Sequence, residues 1–435
     1  MAIASMLFSP PGRLSLHLAS AERPVHQGAL HLTGKCSALL KPDTLALTIL
    51  LACLTGLGPL STDLYLPSLP AITQAFQSDP ATVQLTLSAY LVGFAAGQIF
   101  HGPLSDRLGR RPVLIAGLLG FIAASILCAA AQSVLMMIIA RFIQGLAASG
   151  PIVLARSVAR DLYEGPRAAR ELARMGAIMG LIPAVAPVIG GAMSVLFGWQ
   201  SGFAMQAGLG IILALSVQWA LPETVRSKLA TRFSLTELLR DFRRLLDHGG
   251  YRLHILMQAA TYAGLFAFIS GSSFVLQGLY HMSEVGYGLA FACCACSFVA
   301  GSLLTQRLVT RIGMERAVGI GTLFMAAGGL TATLGQVIHT GFPAELIVPV
   351  MIFMVGVGVA IPLTQASALM PFPHMAGTAS SLLGFVQMTF AAIIGMIVGH
   401  FLSYGAWSIV LTMAVLGVST VGLHLQLNRW RQRST

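Results

Sequence analysis

Apolar residues run in stretches of about twenty along nearly the whole chain after residue 43, broken by short clusters of charged residues, glycine or proline. At about 1.5 Å per residue such a stretch matches the roughly 30 Å hydrocarbon core of a bilayer, so each predicts a membrane-spanning helix. Twelve are expected. Six lie near 44–66, 81–103, 112–131, 134–156, 171–196 and 200–221, and six more near 252–276, 286–306, 317–337, 345–368, 376–402 and 405–427. Hydrocarbon offers backbone groups no hydrogen bonds, and the stretches lack the short alternating strands of a barrel. The expected fold is an all-α membrane protein with two pseudo-symmetric six-helix bundles, 44–221 and 252–427.

Between the blocks, residues 222–251 change character. Ser234 with Glu237 fits a capping box, and Leu235, Leu238, Leu239, Phe242, Leu245 and Leu246 share one helical face among Arg240, Arg243 and Arg244. This predicts an amphipathic linker helix resting on the inner leaflet, where anionic lipid attracts the arginines. Residues 1–43 hold Pro10, Pro11 and Pro24 without the apolar core of a signal peptide, and read as a cytoplasmic tail; 428–435 form a second one.

Charge turns this pattern into a topology. Only 9% of residues are charged and 56% are hydrophobic, against about 25% charged in an ordinary globular chain. Of 26 Lys and Arg, 25 fall in the two tails, the segment 226–252 or the loops near 107–111, 156–174 and 307–316, and the intervening loops carry none. Basic residues gather on the cytoplasmic side, so both termini are expected there, in a bacterial inner membrane. The net charge of +11 is then topological, and no nucleic-acid partner is expected. The six cysteines, at 36, 53, 128, 293, 294 and 296, lack metal-ligand spacing and read as packing residues. No P-loop, HExxH or GxSxG sequence occurs. No enzymatic activity, cofactor or metal is expected; the expected partners are a small-molecule substrate, protons and the lipid bilayer, with the chain acting as a monomer.

Arg141 is the basic residue outside the alternation, about seven residues into the fourth span. An embedded charge costs about 2.5–3.5 kcal/mol on insertion scales, so Arg141 must face protein or a water-filled cavity. Arg141, Gln144, Gly145 and Ala148 share a face. Of fifteen acidic residues, Asp63 alone is expected clearly inside a span, near the outer end of the first. A carboxylate's proton affinity rises in a low-dielectric cavity and falls beside a cation, so a changing Asp63 to Arg141 distance could move a proton. A structural reading stands beside this one: Arg141 satisfied by backbone carbonyls, and Asp63 ending the helix before Pro67. Gly176, Gly180, Pro183, Ala186, Pro187, Gly190 and Gly191 make the fifth span a thin, kinked helix that neighbours can approach closely. Tyr90 and Phe94 in the second span, Tyr262 and Phe266 in the seventh and Met388 in the eleventh are candidate liners of a cavity for uncharged or lipophilic molecules.

The segment Gly102-Pro-Leu-Ser-Asp-Arg-Leu-Gly-Arg-Arg-Pro112 resembles the loop signature of the major facilitator superfamily almost residue for residue, with Gly102 expected to permit close helix approach. Arg311-Ile312-Gly313 echoes it weakly in the second block, with Thr310 over Asp106. The resemblance implies a cytoplasmic latch made of Gly102, Asp106, Arg107, Gly109, Arg110 and Arg111 that favours the outward-open state. Arg141, Gln144 and Gly145 resemble the family's fourth-helix motif, associated with proton coupling, and Gly176 to Gly191 the antiporter motif of the fifth, with Ala186 where many members have Gly. Residues 56–70 around Asp63 look like the first-helix signature of drug exporters, although Thr55 stands where some relatives carry a second acid. Val83 to Tyr90, Ala155 to Tyr163 and Gly377 to Gly384 are similar to the Bcr/CflA drug-resistance subfamily. This implies proton-coupled efflux of molecules such as amphenicols or bicyclomycin. A transporter of a sugar, nucleoside or purine on the same fold is the alternative, and a membrane enzyme or receptor a remote one.

Overall fold

The computed structural model describes residues 44–163, 165–225, 235–372 and 375–434. Within them the chain forms α1 (Leu45–Asp63), α2 (Leu69–Ala75), α3 (Pro80–Leu108), α4 (Arg110–Ala129), α5 (Val134–Leu162), α6 (Gly165–Phe197) and α7 (Gln200–Ala220). The second half adds α8 (Leu235–Asp247), α9 (Gly249–Phe274), α10 (Glu284–Ile312), α11 (Met314–Ile338), α12 (Ala344–Leu369), α13 (Ala376–His400) and α14 (Trp407–Ser434). Among the described residues twelve spans are long and apolar enough to cross a membrane; the first joins α1 with α2, and the seventh joins α9 with the π turn Val275–Leu279. Each coincides with an expected stretch. The helices α3, α5 and α10 run about six residues past the expected ends, because hydropathy marks the hydrocarbon whereas the hydrogen-bond ladder continues into polar turns.

Local chemistry sets the boundaries. Asp79, Ser133 and Ser283 accept from the backbone N–H groups of Thr82, Met136 and Gly286 at 2.9, 3.3 and 3.0 Å, capping α3, α5 and α10. Gly109 (φ 107°) and Gly313 (φ 81°) supply the left-handed residue that turns α3 into α4 and α10 into α11. The weak sequence echo is therefore a shared backbone device. Packing repeats as well: α1 lies on α6, α3 on α5 and α4 on α7, as α9 lies on α13, α10 on α12 and α11 on α14. The two bundles meet along two seams, α3 with α13 and α6 with α10.

The linker departs from expectation. Leu245 is fully buried and, with Phe242, packs against Tyr251, Ile255, Leu382 and Leu383, while Leu239 and Leu246 remain exposed. The helix α8 thus docks one edge of its apolar face onto the second bundle, where the sequence predicted a whole face on lipid. Arg240, Arg243 and Arg244 stay exposed. Ser234 of the expected capping box and residues 1–43 lie outside the described residues.

Candidate functional site

Arg141 is fully buried in the first bundle. Its Nη1 donates to Gln144 Oε1 at 2.6 Å and to the Ser61 carbonyl at 3.2 Å. That carbonyl belongs to the last turn of α1, where the Tyr65 N–H turns to the Thr62 carbonyl instead, so the guanidinium serves a helix C-terminus. Tyr90 and Tyr65 lie against it at 4.3 and 4.8 Å from the ring centroids, and Phe203 at 5.9 Å; desolvated contacts of this kind contribute about 2 kcal/mol. Gln144 extends the network through Nε2 to Ser125 Oγ and Gln206 Oε1, both at 2.8 Å. Gly145 lets α5 close on the Tyr90 backbone. Four helices are tied through one cation, yet Arg141 Nε and Nη2 have no hydrogen-bond partner among the described residues.

Asp63, the last residue of α1, is 4% exposed. The Thr62 hydroxyl lies 3.2 Å from its Oδ1, and it forms no ion pair with any described residue. The acid ends α1 beside Leu64, close in sequence to the carbonyl that Arg141 holds but unpaired with Arg141 itself. Asp63 is not the sole buried acid. Glu171 at the start of the fifth span is 5% exposed and accepts from Thr48 Oγ1 at 3.0 and 3.1 Å and from Arg174 Nη1 at 3.1 Å; its place at a span boundary had hidden it.

The loop after α3 forms a polar knot within the first bundle. Arg110 Nη1 pairs with Asp106 at 2.5 Å and its Nε with Asp161 at 3.0 Å. Glu223, which the sequence did not single out, accepts from the backbone N–H groups of Arg110 and Arg111 at 2.9 and 3.3 Å, so its carboxylate sits on the positive end of α4. The Arg111 side chain donates to the Gln218 carbonyl. Arg107 ends α3. The only legible signal for Glu223 was a Pro-Glu-Thr triplet just past the sixth span. Gly102 does not make the close approach expected of it: a Cβ there would meet nothing within 4 Å.

The seams explain why. At the arginine-poor end of the α6–α10 seam, Gly191 closes on Glu284 and Gly288 on the Pro187 carbonyl, beside buried Ala186, while Gly190 closes on the Leu64 backbone within the first bundle. On the other seam Gln84 fits against Gly395 and Gly399 and Gln98 against Gly384; between the turns that follow α9 and α1, Gln277 Nε2 donates to the Pro67 carbonyl at 2.9 Å. Towards the arginine-rich end, Gly102, Gly176, Gly180 and Gly377 face open space. The bundles are thus joined at one end and parted at the other. Of the expected cavity liners, Tyr90, Phe94 and Phe266 are buried, with the Tyr90 hydroxyl donating to the Gly58 carbonyl at 3.0 Å, while Tyr262 and Met388 are half-buried.

Comparison with known proteins agrees with this architecture. A sequence profile of the Major Facilitator Superfamily matches residues 51–396. The chain is 30% identical over 381 residues to a bicyclomycin resistance protein homolog of Haemophilus influenzae, covering 87% of this chain and 95% of that protein. It is 29% identical over 380 residues to a chloramphenicol resistance protein of Pseudomonas aeruginosa, covering 87% and 90%. A crystal structure of a bacterial homolog to the human lysosomal transporter Spinster, inward-facing and occupied, shares the fold with a TM-score of 0.71 at 16% identity, over 90% of this chain and 98% of that one. The profile spans most of the chain, and the twelve spans and paired bundles fit it: the chain belongs to the Major Facilitator Superfamily and its Bcr/CflA drug-resistance subfamily, as a multi-pass inner-membrane transporter and not an enzyme.

Proposed function

We propose that this chain exports small drug-like molecules, in the range of amphenicols and bicyclomycin, in exchange for protons and by alternating access. The names of its relatives support the substrate class, and the glycine and proline pattern of α6 supports export. The arginine-rich end is taken as cytoplasmic, with both termini there, so the described conformation opens to the cytoplasm.

The carrying observation is Asp63, a buried carboxylate at the outer end of α1 without a cation partner among the described residues. In the described state it holds a proton. When α1 shifts within the first bundle as the two bundles rock, the open N–H groups of Arg141 take the carboxylate and the proton leaves. Gly102, Gly176, Gly180 and Gly377 then become the packed part of the seams, and the Asp106, Arg110 and Arg111 loop takes up its latch role. Purified protein tests this reading. Asp63→Asn abolishes substrate-induced proton release while drug binding persists; intact release would remove Asp63 as the coupling site. In an efflux-deficient bacterium the chain raises resistance to an amphenicol or bicyclomycin, and altered nutrient export with unchanged resistance would favour the metabolite alternative.

A further inference from the structure

The second bundle carries a three-residue polar chain to which no role has been given. Gln258 of α9 is 1% exposed. Its Nε2 donates to Gln387 Oε1 of α13 at 3.1 Å, and its Oε1 accepts from the Thr364 hydroxyl of α12. Gln387 Nε2 makes no hydrogen bond to a described residue, and Gln387 itself is half-buried. It lies three residues beyond Gly384, which abuts Gln98 of the first bundle, and on the side of α13 that meets α9, so its free end faces the gap. Tyr262, one turn on from Gln258, is half-buried.

The chain is reversible. The Thr364 hydroxyl is 2.7 Å from the Ala360 carbonyl as well as bonded to Gln258. A hydroxyl has one proton to give. When it goes to Gln258, both amides align and Gln387 presents its N–H pair to the gap. When it goes to Ala360, the hydroxyl accepts instead, both amides turn over, and Gln387 presents its carbonyl oxygen. One side chain thereby offers a donor or an acceptor without losing its support. No charge competes nearby: α13 carries no Asp, Glu, Lys or Arg, and those of α9 and α12 are Arg252 and Glu345 at the helix ends.

We infer that Gln387, oriented by Gln258 and Thr364, is the hydrogen-bonding contact through which the second bundle recognises an uncharged substrate bearing amide, carbonyl or hydroxyl groups. The inference rests on the exporter reading and extends it, because it names the bundle face that selects polar neutral compounds. The test uses the full chain in lipid nanodiscs, with chloramphenicol as the neutral polar probe and tetraphenylphosphonium as a probe without hydrogen-bonding groups. Gln387→Met keeps the side-chain volume and weakens chloramphenicol binding about three- to tenfold, the worth of one neutral hydrogen bond; tetraphenylphosphonium binding does not weaken. Thr364→Val produces a smaller loss through misorientation of Gln258, and Thr364→Ser restores it. Unchanged chloramphenicol affinity in Gln387→Met, or an equal loss for both probes, overturns the inference and leaves the exporter reading standing. Failure of the unaltered chain to bind or export any neutral amide overturns both.

Discussion

Gln84 offers a direct handle on the balance between the two ends of the molecule. It is fully buried at the arginine-poor end of the seam between α3 and α13. Its Oε1 has no hydrogen-bond partner, and its Nε2 reaches only Ser88 Oγ at 3.5 Å. A Cβ on Gly399 would stand 2.5 Å from Gln84 Oε1, and one on Gly395 2.9 Å from Nε2. Whichever way the amide is turned, one polar end is pressed against glycine Cα–H groups. Leaving a buried acceptor unmade costs about 1–3 kcal/mol. That penalty falls on the closed seam alone, because an opened seam hydrates the amide. Gln84→Met removes the polar atoms at nearly constant volume, so little packing is lost. The closed arrangement therefore gains about 1–3 kcal/mol, a shift of roughly five- to a hundredfold in the equilibrium. Electron–electron resonance distances between nitroxides at exposed Gln77 and Ser403, in a cysteine-free background, read the two populations. The long-distance population should shrink, and drug export should slow with it. A long-distance population that stays the same or grows would refute the account of Gln84 as a strained plug.

Two further perturbations probe the ends of the helices. Glu223→Ala strips α4 of the carboxylate over its first N–H groups and should cost about 0.5–2 kcal/mol, read as a lower midpoint of thermal unfolding; an unchanged midpoint would show the contact to be idle. The Thr82 hydroxyl and N–H hold the Asp79 carboxyl below its ordinary value near 3.8. Because the folded state prefers the charged form, this cap is intact above that value and is lost as pH falls through the lowered one. Hydrogen exchange at the Thr82 and Val83 amides should accelerate in that acid range, and Asp79→Asn should abolish the pH dependence; equal acid sensitivity in both proteins would place its origin elsewhere.

The spans were legible because hydropathy and basic-residue alternation are imposed by the bilayer and by topology, each acting on one segment at a time. What remained hidden depends on residues brought together from different spans. The face holding Arg141, Gln144 and Gly145 could be read from helical spacing, but its setting of Tyr65, Tyr90 and Phe203 draws on three other spans. Tyr90 was accordingly read as a cavity liner when its hydroxyl and ring are spent on Gly58 and Arg141. Glu171 sat where a hydropathy window cannot tell a loop acid from a buried one. The glycines are a different case. Gly191 and Gly288 pack tightly across a seam, while Gly102, Gly176, Gly180 and Gly377, on helices that form the two seams, would meet nothing within 4 Å of an added Cβ. A helix interior gives up about 1 kcal/mol per glycine relative to alanine, a cost that close packing offsets only where it occurs. Under the proposed alternating access the unpacked four gain their offset in a second arrangement, in which the seams meet at the arginine-rich end. On that reading one sequence carries the small residues for two packings, and the described conformation uses only some of them.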